Sequence, residues 1–347
     1  MRPIRGFLLP LAGLILIGLV AVACGGSNET NSTDTSAPEA VDVDAPETTE
    51  AAVVPDRIVV AARGSIDASP LWVADSEGFF AAENLTIDFA PVSEEVELFY
   101  SVRDGNADVA VVSASSAIRR VTFNEDPLEF VVYLDGTQGG LKAPRGTMSL
   151  IAPPSGVQDG CDLENRRVGV DSISSLAAAA VREMVTRDGC DASLIFFFTG
   201  DSNSLLEQLA EGEIDAAALL DPYTSRALRE DYRLVANLDN ELCPDFGRCP
   251  ISMVVAERGW AEANPEVLGR FQAALDDAMF WIRQNELAYR AELVSCCALT
   301  SDDAADVLVP NFVGERRQLE GDLPRLLDIL VAQNQVTSTD MVEELTR

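Results

Sequence analysis

The chain has 347 residues, 47% hydrophobic and 24% charged, which is globular material long enough for two cores and not a disordered chain. Its 57 acidic residues against 25 basic ones give a formal charge of -32, which excludes nucleic-acid binding, because neutralising phosphates needs clustered Lys and Arg. The absence of histidine excludes Ser-His-Asp and Cys-His catalysis, His proton shuttles and imidazole metal sites, and leaves carboxylate or lysine chemistry open.

Residues 1–23 carry Arg2 and Arg5 and then run apolar over 7–23, the pattern of an export signal. Cys24 follows the small residue Ala23 and precedes Gly25-Gly26-Ser27, an arrangement that resembles a bacterial lipoprotein signal, in which Cys24 becomes the lipidated mature N-terminus. Ala21 departs from that pattern, since Leu is usual three positions before the Cys. The alternative, an uncleaved membrane anchor, is weakened by Pro10 and by the shortness of the apolar run. Either way the body lies outside the cytoplasm, and the lipoprotein reading anchors it to the outer face of the cell membrane. Residues 24–56, polar and acidic with no basic residue and no aromatic, predict a disordered tether.

The folded part starts at Arg57. Residues 58–62 predict a buried strand, and the loop leaving it carries Arg63, Ser65 and Asp67. Ser69-Pro70 predicts a helix N-cap with Pro at the first helical position, opening a helix over 71–77 that carries Trp72. Gly78 ends it, a short helix follows over 79–84, and 85–89 is a strand. A strand over 128–134 and a Gly-rich crossing over 136–146 close the first lobe, assigned to 57–140. The second lobe, 141–250, holds strands at 147–152, 166–170, 194–198 and 233–238 and an Ala-rich helix over 176–187 that Ser172, Ser174 and Ser175 cap. A second crossing at 243–249 leads to a returning strand at 251–257. The segment 251–347 is assigned mostly to the first lobe. In it, Asn264-Pro265 opens a helix whose apolar residues, from Val267 and Leu268 to Ile282, form one stripe at spacings of three and four, read as core.

One repeat organises this plan. Residues 104–112 and 211–219 share the order acid, Gly, any residue, apolar, Asp, apolar, Ala, apolar, apolar. Each reads as a helix closed by a left-handed glycine, Gly105 or Gly212, followed by a parallel strand buried on both faces. Polar lips follow each strand: Ser113, Ser115 and Ser116 in one copy, Asp221-Pro222-Tyr223 in the other. Ligands of open parallel sheets bind outside the carboxyl ends of the strands, so the two lips predict facing walls of one cleft.

The ordered set of motifs resembles a known family, the solute-binding proteins of ABC importers for sulfonates, taurine, nitrate and thiamine-pyrimidine-like compounds. It comprises Pro70-Leu71-Trp72 with Gly78-Phe79-Phe80, Asp104-Gly105 through Asp108, Arg167-Val168-Gly169-Val170 with the following serines, Gly212 to Asp215, Asp221-Pro222-Tyr223 and Asn264-Pro265-Glu266. The resemblance implies an α/β fold of two doubly wound lobes joined by crossing strands, like type II periplasmic-binding proteins. It also implies a small-molecule ligand held between the lobes by hinge closure, an ABC permease and ATPase as partners, and a monomer. A eukaryotic relative makes thiamine pyrimidine with a His and a Cys-rich motif; neither stands here, so no enzyme, no cofactor and no metal are expected.

The ligand contacts expected are Arg63, Ser65, Asp67, Trp72, Ser113, Ser115, Ser116, Ser172, Ser174, Ser175, Asp221 and Tyr223. Helix N-termini after Ser69, Ser113–Ser116 and Ser172–Ser175, with Arg63, favour an oxyanion. Asp67, Asp171 and Asp221 favour an amine or a heterocycle's N–H, with Trp72 and Tyr223 able to stack on a flat ring; the residues leave both readings open. A surface sensor or adhesion lipoprotein of the same fold, and a hydrolase using Asp67 and Asp221, are the rival functions. Of the six cysteines beyond Cys24, Cys161 pairs with Cys190 because both precede strands at one sheet edge, and Cys243 with Cys249 pins the crossing. Cys296 and Cys297, adjacent in sequence, form a vicinal bridge or two free thiols.

Overall fold

The apolar runs that lack polar alternation become the inner strands of two sheets. The structure, a computed structural model, describes residues 54–92, 94–123, 128–136, 146–242, 250–310, 312 and 323–337. The export signal, Cys24, the tether up to residue 53, most of the first crossing and the Cys243–Cys249 pairing lie outside the described residues.

The first lobe runs β1 (Asp56–Ala62), α1 (Ser69–Ser76), α2 (Phe79–Ala82), β2 (Leu85–Pro91), α3 (Glu95–Arg103), β3 (Val109–Ser113), α4 (Ala114–Thr122) and β4 (Leu128–Gly136). The second runs β5 (Met148–Ala152), β6 (Arg167–Val170), α5 (Leu176–Arg187), β7 (Phe196–Thr199), α6 (Ser202–Glu211), β8 (Ala216–Leu220), α7 (Tyr223–Arg229), β9 (Arg233–Asn237) and α8 (Asp239–Leu242). The chain then returns through β10 (Pro250–Glu257), α9 (Arg258–Ala263), α10 (Pro265–Gln284), α11 (Glu286–Cys296), α12 (Ser301–Asp306) and α13 (Leu323–Ala332).

The two five-stranded sheets have one plan. Their orders are β2-β1-β3-β10-β4 and β7-β6-β8-β5-β9. The first three strands of each are parallel, and the fourth runs antiparallel to both of its neighbours. Because β10 belongs to the first sheet but follows the whole second sheet in sequence, the chain passes twice between the two sheets.

The repeat has a structural cause. Gly105 and Gly212 both adopt left-handed conformations, with φ of 71° and 73°. Three residues on, Asp108 donates its backbone N–H to the Val59 carbonyl at 2.8 Å, and its carboxylate accepts the Val59 N–H at 2.7 Å. Asp215 does the same to Arg167, at 2.8 Å for each bond. Each aspartate thus closes both backbone groups of one residue of the neighbouring parallel strand, a job that a carboxylate at this position can do and an apolar residue cannot. The strands that follow are buried over Val109–Val112 and Ala216–Leu219.

Packing follows the stripes. In α10 the stripe Leu268, Phe271, Ala274, Leu275, Ala278, Met279 and Ile282 is buried in the core of the first lobe, with Val267 partly so. A second apolar cluster passes from α3 and α4 through β5 into α5 and α13. The C-terminal helices divide between the lobes: α10 and α11 pack on the first, while α13 lies on α5 and α8, where Arg325 donates to the Leu242 carbonyl at 3.1 Å and Gln333 to the Ala179 carbonyl at 3.0 Å. In α12, Asp303 pairs with Arg226 and Arg229 of α7, which hold its carboxyl well below the usual carboxylate range.

Two expected caps differ. Ser69 is the first helical residue and not the cap. Its buried hydroxyl lies 2.6 Å from the Ile66 carbonyl and 2.8 Å from the Tyr289 hydroxyl, which fixes α1 to α11. Asn264 turns its amide back to the Trp260 carbonyl at 2.9 Å instead of capping α10. Both side chains turn back to carbonyls three or four residues earlier, a local alternative to capping, and only the contact of Ser69 with Tyr289 is remote in sequence.

Candidate functional site

A cavity of about 520 Å³ opens at the carboxyl ends of β1, β3, β6 and β8, with walls from both lobes. Arg63, Ser65, Asp67, Ser113, Ser115 and Ser116 line the first wall, and Ser172, Ser174, Ser175, Asp221 and Tyr223 the second. Trp72 is the correction. It sits half-buried on α1 and stacks on Phe89 of β2, centroids 5.2 Å apart and planes 6° from parallel, so its ring belongs to the flank of the first sheet. A helix turns a residue four places beyond the loop away from that loop's mouth, and the neighbouring strand supplies an aromatic partner.

The lining residues differ in what they already hold. Glu95, at the start of α3, accepts from both the backbone N–H and the hydroxyl of Ser113, so that hydroxyl is engaged. Ser115 is buried and Ser116 half-buried on the first turn of α4. On the second wall, Ser175 accepts from the Ala178 N–H at 3.2 Å, a true cap of α5, and donates to the Ser172 carbonyl at 2.8 Å. The Ser172 and Ser174 hydroxyls lie 3.2 Å apart. Asp221 accepts from the Ser225 N–H and hydroxyl with one oxygen and from the Leu308 N–H with the other, tying α7 to the chain after α12. Both oxygens of Asp221 thus already accept protein hydrogen bonds, which fix the orientation of its carboxylate. One face of the Tyr223 ring carries the Arg226 guanidinium, 4.9 Å from its centroid.

Charge is divided unevenly. Asp171 reaches water inside the cleft yet is enclosed by the two lobes; that enclosure pushes its carboxyl up, Ser175 pulls it down, and Glu95 of the other wall adds repulsion. Behind the second wall, Asp239 is fully enclosed and its carboxyl is pushed up to about 7 by burial. It accepts the backbone N–H groups of Thr147 and Met148 at 2.6 and 3.0 Å, just where β5 enters the second lobe and both residues line the cavity.

Among the lining residues that sequence reasoning missed are the charged side chains Glu95, Arg119 and Asp201. Arg119 lies on α4 one turn after Ser115 and Ser116, a spacing of three and four that puts all three on one helix face. That signal was present once α4 was placed. Glu95 carries no such signal, because only the packing of α3 on β3 brings it to the cleft.

The loop bearing Arg63 and Ser65 is braced from behind. Cys296 and Cys297 form a vicinal disulfide, and a Cβ on Gly64 would lie 2.7 Å from the Cys296 carbonyl oxygen, so this approach requires glycine. Cys161 and Cys190 form the expected bridge, their Cα atoms 5.4 Å apart. Among the described residues there is no group of three or more Cys, Asp or Glu placed to hold a metal ion, and no helix long and apolar enough to cross a membrane.

Solved structures share this architecture. The periplasmic aliphatic sulphonate binding protein SsuA from Escherichia coli aligns with a TM-score of 0.68 at 15% identity, over 84% of this chain and 92% of its own. The alkanesulfonate-binding protein SsuA from Xanthomonas axonopodis pv. citri, bound to MOPS, aligns with a TM-score of 0.66 at 15% identity, over 85% of this chain and 99% of its own. The desulfurization enzyme DSZB aligns with a TM-score of 0.60 at 12% identity, over 84% and 96%. At these identities the likeness establishes the fold, the two-lobed periplasmic-binding-protein fold, and one fold here hosts both binding and catalysis. No curated protein matches the chain. The family model described as NMT1/THI5 like matches residues 65–286, from the first cleft loop to the first residue of α11, and the chain belongs to that family.

Proposed function

We propose that the chain is an extracytoplasmic solute-binding protein of an ABC importer, anchored to the outer face of the cell membrane through lipid on Cys24. It captures a small organic ligand, a sulfonate- or nitrate-like anion or a thiamine-pyrimidine-like heterocycle, by closing its lobes, and delivers it as a monomer to a permease driven by an ATPase. The observation that carries this reading is a cavity shared by the carboxyl-end rims of two lobes built on one plan. A ligand touching both walls binds the closed arrangement better than the open one, and that difference in affinity is what drives closure. Capture of this kind breaks no bond, so the site needs donors and acceptors rather than an activated nucleophile. The absence of histidine agrees with binding without turnover.

Isothermal titration against a panel of sulfonates, nitrate, carboxylates, amines and pyrimidines tests the reading, with small-angle scattering on each hit. The expected result is a saturable one-to-one ligand that reduces the radius of gyration. A ligand that binds without compaction removes hinge closure, and a panel with no binder removes the receptor reading. Cys24→Ala is expected to release the protein from membranes into the medium.

A further inference from the structure

A second cavity, of about 370 Å³, opens beside the first, between α3 and α4, and shares Glu95, Ser116 and Arg119 with it. Its remaining lining is Val96, Phe99, Arg120 and Phe123. Val96 and Phe123 are 41% and 47% exposed, so the groove offers apolar surface to whatever enters it. The Arg120 guanidinium lies over the Phe99 ring at 4.4 Å. Arg119 stands in the wall common to both cavities, and its buried Nε has no hydrogen-bond partner among the described residues. Nor does it form an ion pair there, because the neighbouring acid, Glu95, is turned to Ser113. A guanidinium N–H buried without an acceptor is unfavourable until an acceptor arrives. The main cavity is acidic, with Asp67, Glu95, Asp171, Asp201 and Asp221 against Arg63 and Arg119, whereas the side groove holds two arginines against one glutamate.

From this juxtaposition we infer that Arg119 and the groove between α3 and α4 form an acid-binding subsite. The solute is longer than the main cavity alone requires, its carboxylate, sulfonate or phosphate group paired with Arg119 and an apolar stretch lying along Val96 and Phe123. The inference rests on the receptor reading and narrows its ligand to an elongated organic acid. Each methylene that enters the groove tightens binding about fourfold, until the groove is filled. Pairing of the acid with Arg119 contributes at least about tenfold.

The test is titration of the full chain with acetate, butanoate, hexanoate and octanoate, and with alkylamines of the same lengths. Three proteins are compared, wild type, Arg119→Gln and Val96→Glu, each checked for an unchanged circular-dichroism melt. The expected result is alkanoate affinity that rises with chain length, falls about tenfold or more in Arg119→Gln, and loses its length dependence in Val96→Glu, while alkylamines show none of these trends. Alkanoate binding indifferent to Arg119 overturns the subsite and leaves the receptor reading standing. The same follows if no alkanoate binds but another solute of the wider panel does. If nothing binds in either set, both readings fall together.

Discussion

The two lobes use one backbone device and different cleft chemistry. In each, a left-handed glycine and the aspartate three residues later tie a helix end to the backbone of a parallel strand. Beyond that point they diverge. The first lobe presents Arg63 and Arg119 without ion pairs among the described residues, and serines on the opening turn of α4. The second presents Asp171 and a closed set of serines that mostly bond to one another and to the helix they begin. The repeated residues hold the scaffold, and the residues just past each copy set what the wall can bind. The divergence yields several tests.

The largest effect falls on the second lobe, because it alone, among the described residues, is closed by a bridge that encloses a loop. Cys161 and Cys190 are separated by 29 residues, and removing the bridge with Cys161→Ser and Cys190→Ser costs about 3–4 kcal/mol in the chain-entropy account. The vicinal Cys296–Cys297 pair encloses no loop, so replacing both with Ser leaves the denaturant midpoint nearly unchanged. Urea unfolding of the two double variants checks this. Equal losses would mean that the vicinal pair braces the Arg63 loop far more strongly than loop closure explains.

Next come the paired aspartates. Asp108→Ala leaves the Val59 N–H of β1 without its acceptor, at a cost of about 1–3 kcal/mol. Asp215→Ala loses the equivalent bond and also a two-point pair with Arg167, at 3.0 and 3.1 Å. That pair is partly exposed, so it adds no more than about 1 kcal/mol. The expected order is therefore Asp215→Ala worse than Asp108→Ala by a modest margin, measured by urea midpoints on the same preparation. A variant that unfolds at the wild-type midpoint would break the equivalence of the two copies.

A smaller effect is read as a slope with pH. The Asp171 carboxyl is raised in the folded state, chiefly by enclosure, so the fold binds its proton to a higher pH than the unfolded chain does. Its contribution is fully present below about pH 4, the unfolded value, and is lost as pH rises through the folded one. Asp171→Asn removes that loss. The variant is expected to match wild type near pH 4 and to exceed it in urea midpoint at pH 8. A gap that widens toward acid would reverse the sign and place Asp171 with the stabilised carboxylates, such as Asp303.

Much of this architecture could be read from residues alone, for a physical reason. Buried parallel strands need uninterrupted apolar runs, glycines at φ near 70° tolerate few substitutes, and the α10 stripe has one face to bury, so each leaves a local pattern. The walls of the cleft were legible for the same reason, since a strand's carboxyl end fixes where the next residues point. What escaped depends on contacts far apart in sequence. Glu95 reaches Ser113 only because α3 packs on β3, Ser69 meets Tyr289 from the other end of the chain, and the two oxygens of Asp221 are taken by Ser225 and by Leu308. Apart from Ser225, four residues after Asp221, none of these partners lies at a helical or strand spacing that could announce it.

The aromatics give the finest discrimination. Trp72 and Tyr223 stood as equivalent stacking candidates, one for each lobe, yet only Tyr223 lines the cavity, while Trp72 stacks on Phe89. Trp72→Phe keeps an aromatic ring in that stack and is expected to leave the affinity for any bound solute within about twofold, with a stability loss of about 0.5–1.5 kcal/mol from the weaker ring pair. Tyr223→Leu keeps an apolar side chain at the start of α7 and is expected to weaken binding by about two- to tenfold. Calorimetry on both variants with one solute separates them. A Trp72 variant that binds worse than the Tyr223 variant would mean that the flank of the first sheet, rather than its carboxyl-end rim, communicates with the ligand, and the contrast between the two walls would have to be redrawn around α1.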